Sequence, residues 1–213
     1  MIIRDDDAAI AAIKQEIREA ESGTIGEIVV VMAGGASDYR LPYLAMLVFV
    51  AALAGPVIVF SGVLLSGTFS FEQYSAASLF QLAFIGGGWV LGNLKPQIRA
   101  ALMPKRLKHR MASRLAGEQF FMRGLRLTEG RTGVLIFISA TERYVEIIAD
   151  KGISDKVPQG TWQDAVSFLT GKIGNHELEI GITGAIRMVG AVLQEHFPGR
   201  KDANELPDHL HII

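Results

Sequence analysis

Between Arg40 and Lys95 the chain carries one charged residue, Glu72, in an otherwise uncharged block. The block divides into Leu41 to Leu65 (LPYLAMLVFVAALAGPVIVFSGVLL) and Ser75 to Leu94 (SAASLFQLAFIGGGWVLGNL), joined by a short polar connector. An uncharged apolar stretch of about 20 residues is long enough to cross a bilayer as a helix. The first stretch holds fourteen Leu, Ile, Val or Phe residues and the second eight. At about −0.3 to −0.6 kcal/mol each, the first inserts readily and the second is marginal unless it enters as the other arm of a hairpin. Small residues at four-residue spacing, Ala51/Gly55 and Gly88/Gly92, permit the two arms to pack closely. The expectation is a transmembrane helical hairpin inserted into a soluble domain. The opening Arg4, Asp5, Asp6 and Asp7 does not have the basic-then-apolar form of a signal peptide.

The flanks predict an orientation. The connector Ser66 to Tyr74 has no Lys or Arg, whereas Lys95, Arg99, Lys105, Arg106, Lys108, Arg110 and Arg114 follow the second arm with no acid before Glu118. Basic flanks stay cytoplasmic, which puts both soluble pieces on the cytoplasmic face and the connector outside. Such a cluster can also bind nucleic acid or anionic lipid. Its place beside a membrane exit favours the topological role, with the bilayer and other membrane proteins as partners and no nucleic acid.

The remainder is large enough for one domain with its own core. The net charge of −1 selects no polyionic partner, and the absence of cysteine removes disulfides, thiolate metal sites and cysteine nucleophiles. Residues 1–40 read as a helix with Ile10, Ile13 and Ile17 on one face, then the strand Glu27 to Met32. Residues 95–213 read as a basic amphipathic helix (Pro104 to Arg126), two strands (Gly133 to Ser139 and Tyr144 to Ala149) joined as an antiparallel hairpin, and two helices. Thr161-x-x-Asp164 has the form of a capping box opening the first of these helices, which Gly171 and Gly174 would break. The second, about Glu177 to His196, turns Ile182, Ile186, Val189 and Leu193 inward. The tail from Asn204 is irregular or adds an edge strand. The fold class is therefore α/β: a small mixed sheet covered by helices and interrupted by the hairpin at 41–94.

No phosphate-binding loop, nucleophile elbow or H-E-x-x-H motif occurs. His209 and His211 bracket Leu210 as a pair without a third ligand, and His176 and His196 lie near helix ends. The candidate region is Asp150-Lys151-Gly152-Ile153-Ser154-Asp155-Lys156 at the end of a strand, where Asp150 and Asp155 could take a divalent cation such as calcium or magnesium. Glu27 and Asp164 could lie nearby. The same residues also suit plain turns and caps.

The segment RTGVLIFISATERYVEIIADKGI from Arg131, then Trp162 in GTWQDAV, GITGAIRMVGAVLQEHFP and the opening ESGTIGEIVVVMAG, together resemble the TPM domain. The tail NELPDHL is similar to that of uncharacterised bacterial membrane proteins containing this domain. The resemblance covers both soluble pieces and implies a hairpin inserted after the first strand, in a multi-pass protein of the bacterial inner membrane with both termini cytoplasmic. The family includes photosystem repair proteins, described acid phosphatases and calcium-binding folds. It implies either an interaction module for assembly or maintenance of membrane complexes, or a metal-assisted phosphatase working through Asp150 and Asp155. Many members read Asp-Asn-Gly where this chain has Arg131-Thr132-Gly133, which removes a carboxylate from the metal-associated region; Gly133, Arg143 and Gly152 match. A transporter is disfavoured, because two spans are few and neither carries a charge.

Overall fold

The computed structural model describes residues 7–35, 38–67, 71–175, 177–199 and 210–213. Residues Arg4 to Asp6, the middle of the connector, His176 and most of the tail, including His209, lie outside them. The chain forms two compact units, one made of Met1–Ala36 with His109–Ile213 and the other of Ser37–Lys108.

The first unit is a mixed α/β fold on a four-stranded sheet. In chain order it contains α1 (Asp7–Glu21), β1 (Glu27–Ala33), the main part of α5 (Lys105–Met122), β2 (Gly133–Ser139), β3 (Tyr144–Ala149), a short α6 (Lys151–Ser154), α7 (Gln163–Gly174), α8 (Leu178–His196) and β4 (Leu210–Ile212). The strand order is β3-β2-β1-β4. β1 runs parallel to β2, from Glu27 opposite Gly133 to Ala33 opposite Ser139, and parallel to β4. The β2–β3 pair is antiparallel, as expected for a short-loop hairpin.

β1 and β2 are buried along their whole length, which accounts for their continuous apolar runs. Alternation then sends side chains to opposite faces. Ile28, Val30, Met32, Val134, Ile136 and Ile138 meet α1, α7 and α8 through Ile13, Ile17, Leu169, Ile182, Ile186 and Leu193. On the other face, Val29, Val31, Leu135 and Phe137 pack with Ala112, Ala116 and Phe120 of α5 and with Leu125. Two contacts fasten the outer helices. Arg187 of α8 donates Nε and Nη2 to the two carboxylate oxygens of Glu16 in α1, at 2.7 and 2.6 Å. Buried Thr24 donates its hydroxyl to the Phe197 carbonyl at 2.7 Å and accepts from Gly26 N–H at 3.0 Å, closing the end of α8 onto the α1–β1 turn.

Two local expectations fail. Thr161 caps nothing: a 3-10 turn over Gln159–Trp162 precedes α7, and no side-chain cap bond is made at its start. Burial of the Trp162 indole in the core sets the entry of the helix instead. Nor does Gly171 break α7, which runs on to Gly174. A glycine costs a helix only about 1 kcal/mol relative to alanine, less than burial of Leu169 and its neighbours returns.

The second unit contains α2 (Arg40–Ser66), α3 (Phe71–Leu94) and α4 (Pro96–Leu102). α2 and α3 are long and apolar enough to cross a membrane by length and composition. They pack along the small-residue stripes. Tyr43, Leu47 and Ala51 of α2 and Ala77 of α3 are buried. Gly88 lies where a Cβ would come within 2.9 Å of Leu47, and Cβ atoms at Gly92 and Gly55 would collide with Tyr43 and Gln81. Tyr43 Oη donates to the Gly88 carbonyl at 2.9 Å, and Gln81 Nε2 to that of Ala51 at 2.7 Å. Away from this seam, the helices are bare: Val57, Phe60 and Leu64 are 67, 71 and 76 % exposed.

Candidate functional site

The parallel register brings the starts of β1 and β2 level, and the antiparallel return of β3 ends beside them. Asp150 N–H donates to the Gly133 carbonyl at 2.9 Å, so the candidate loop leaves the sheet there. Three hydrogen bonds occupy the Asp150 carboxylate, which is buried. Arg131 Nη2 and Lys151 N–H reach Oδ1 at 3.0 and 2.7 Å, and Arg131 Nε reaches Oδ2 at 3.1 Å. Asp150 is thus the N-cap of α6 and the acceptor of a bidentate guanidinium at once.

The backbone is shaped to make this pair. Gly130 and Arg131 both take left-handed conformations, at φ 74 and 56°, which glycine adopts freely and arginine rarely. Gly152 lets the two loops touch: any Cβ there would collide with the Gly130 carbonyl and stand 2.7 Å from that of Arg131. Gly133 has a packing reason as well, since a Cβ there would stand 2.7 Å from the Leu125 carbonyl.

Asp155 does not join Asp150. It is exposed at the far end of α6, its N–H bonded to the Lys151 carbonyl. Asp164 is exposed in the first turn of α7, and Glu27 is buried at the start of β1. Among the described residues, no group of three or more His, Cys, Asp or Glu side chains is placed to hold a metal. The arrangement does not fit a divalent cation: a hard cation needs several free oxygens, and those of Asp150 already face a positive guanidinium. Arg131 stands where a ligand would have to.

The basic flank divides by role. Lys95, Lys105, Arg106 and Arg110 are exposed and Lys108 is half-buried. Arg99 is buried in the hairpin unit, 3.4 Å from Asp38 in an ion pair without hydrogen-bond alignment. Arg114 pairs with Glu118 one turn on at 3.2 Å.

Two polar clusters escape sequence reading. At the carboxyl ends of β1 and β2, buried Ser139 donates to buried Glu142, and Thr141 donates to the Gly34 carbonyl. The three-residue spacing within the β2–β3 turn was the only available sign. On β3, Glu146 accepts from Tyr144 Oη at 3.1 Å and from Ser113 of α5 at 3.2 Å, with the His109 ring 5.2 Å from that of Tyr144. Burial, with Glu146 adding to it, raises the Tyr144 phenol above its ordinary pKa. Both clusters tie a turn or helix to the sheet and present no activated nucleophile.

No protein-family model and no curated protein matches the chain. One solved structure does, the BA42 protein of the psychrophilic bacterium Bizionia argentinensis, determined by NMR. It aligns over 96 % of this chain and 92 % of its own, at 18 % identity and a TM-score of 0.57. At that identity the likeness is one of fold alone.

Proposed function

We propose that this chain is a TPM-like α/β interaction module, held at the cytoplasmic face of a bacterial membrane by its apolar hairpin and serving assembly or maintenance of membrane complexes. The observation that carries the reading is the asymmetry of α2 and α3. Tyr43 and Gln81 turn inward onto backbone carbonyls of the facing helix, while Val57, Phe60, Leu64 and Leu79 turn outward. A protein in water would have to cover that surface, whereas lipid solvates it. The TPM resemblance of the two soluble pieces supports the module reading, and the basic residues from Lys95 to Arg114 support the cytoplasmic orientation.

The second reading, a metal-assisted phosphatase through Asp150 and Asp155, gains no support from a carboxylate already engaged by Arg131. Two assays test the choice. A reporter placed in the Ser66–Tyr74 connector should prove external, and a cytoplasmic result overturns the orientation. Hydrolysis of a generic phosphate ester with added calcium or magnesium, abolished by Asp150→Asn with Asp155→Asn, would overturn the interaction reading.

A further inference from the structure

Among the described residues of the α/β unit, the three most exposed large apolar side chains lie close together in sequence. Phe121, Met122 and Leu127 are 61, 76 and 86 % exposed, within seven residues of one another. The local backbone forces this. α5 turns Phe120 into the core and its neighbour Phe121 outward, the two rings perpendicular at 6.2 Å. Gly124, at φ 72°, then starts a 3-10 turn that buries Leu125 and leaves Leu127 bare. Between them is an open depression of about 450 Å³ lined by Phe121, Gly124, Arg126, Leu127 and Arg131.

The surrounding charge is positive. The Arg126 guanidinium lies 4.8 Å over the Phe121 ring. Arg123 is half-buried and bonded to Gln119, and Arg110 is exposed further back on α5. From Lys105 to Arg131 the sequence has eight Lys or Arg against two Glu, and one of those, Glu118, is paired with Arg114. Exposed aromatic and aliphatic side chains interleaved with arginine form the chemistry of a surface that lies at the headgroup level of an anionic bilayer. A second copy of the same patch would meet it with like charge.

We propose that the Phe121–Arg131 patch docks on anionic phospholipid of the leaflet from which the hairpin emerges. The apolar side chains sit among the acyl boundary, and Arg123 and Arg126 lie against phosphate. This rests on the membrane reading above, and the covalent link adds to it: α3 ends at Leu94 and α5 begins at Lys105, so the patch is presented to its own bilayer at high effective concentration.

The chain has no cysteine, so Leu127→Cys gives the full-length protein a single site for an environment-sensitive fluorophore. The protein is reconstituted into phosphatidylcholine vesicles, with and without roughly a third phosphatidylglycerol, enough to create an anionic surface. Docking predicts a blue-shifted probe, quenched by lipid-attached nitroxide and shielded from iodide, in the anionic vesicles only. One basic residue beside an anionic leaflet is worth about a factor of five, so Arg123→Glu with Arg126→Glu should weaken docking at least 25-fold, as about 1 M salt should weaken it. Equal access of iodide in both vesicle types overturns the proposal, and so does shielding that follows protein density rather than lipid charge, which marks a second copy as the cover. Alkaline carbonate extraction separates the two claims. Protein released by carbonate sinks the membrane reading itself, whereas retained protein with residue 127 open to iodide sinks the docking alone.

Discussion

Gln81 donates its side-chain amide to the backbone carbonyl of Ala51 on the facing helix, at 2.7 Å, directly beneath Gly55. The glycine makes room and the amide fills it. In a membrane an interhelical bond of this kind contributes about 0.6 kcal/mol on average and up to roughly 1.7. Gln81→Ala should therefore loosen the hairpin by about 1 kcal/mol. Gly55→Val should cost more, because its side chain takes the space of the amide and holds the helices apart. Thermal unfolding of the detergent-solubilised protein, followed by the ellipticity of the hairpin, should rank the two in that order.

Arg131 and Asp150 allow a test of what the clasp does. Removing one partner of a buried pair costs about 3–5 kcal/mol, and the half-exposed guanidinium brings that down to about 2. Arg131→Ala should lower the unfolding free energy extrapolated from urea denaturation by that amount. Asp150→Asn keeps a capping side chain at the start of α6 and should cost about half as much. If the clasp is what excludes a cation, Arg131→Ala should also show new calcium-dependent stabilisation, and titration of the melting temperature with calcium will detect it.

Glycines in this chain are not equivalent. Gly152→Ala drives a methyl group into the Gly130 and Arg131 carbonyls, and should cost about 3 kcal/mol or more. Gly171→Ala, in mid-helix with open space around it, should stabilise by about 0.5–1 kcal/mol. Denaturant unfolding of the pair gives opposite signs.

Tyr144 makes the fold sensitive to alkali. Its folded pKa is raised by burial, so folding favours the protonated phenol. The contribution is fully present below the unfolded value of 10.0 and fades as pH climbs from there through the folded pKa. Absorbance titration at the phenolate band should lose a late-titrating component in Tyr144→Phe, and the stability of that variant should fall less steeply above pH 10.0.

Much of this architecture was legible because it follows from periodicity. The continuous apolar run EIVVVMA marks a strand covered on both faces, and Ile182, Ile186, Val189 and Leu193 mark the buried stripe of α8. The small-residue spacing of Ala51, Gly55, Gly88 and Gly92 places the seam of the hairpin. Where reading by residue falls short, tertiary packing outweighs local signals. Trp162 overrides the capping box at Thr161, and burial carries α7 through Gly171. The candidate site was half legible. Asp150 at a strand end stands out in sequence, but its occupation by a guanidinium nineteen residues away depends on two left-handed residues and on Gly152, which no spacing rule reveals.

The position of β1 between β2 and β4 sets a timetable for synthesis. β1 leaves the ribosome as an almost wholly apolar strand, yet both of its partners are encoded beyond the hairpin. At about 5–20 residues per second, Glu27 waits roughly 5–20 s for Gly133, and Val30 waits longer still for Leu210. During that interval the two apolar arms must be disposed of while an unpaired strand hangs behind them, open to aggregation. On the proposed membrane reading, insertion of the hairpin precedes closure of the sheet, and a delay there would leave β1 as the segment that a chaperone or protease meets first.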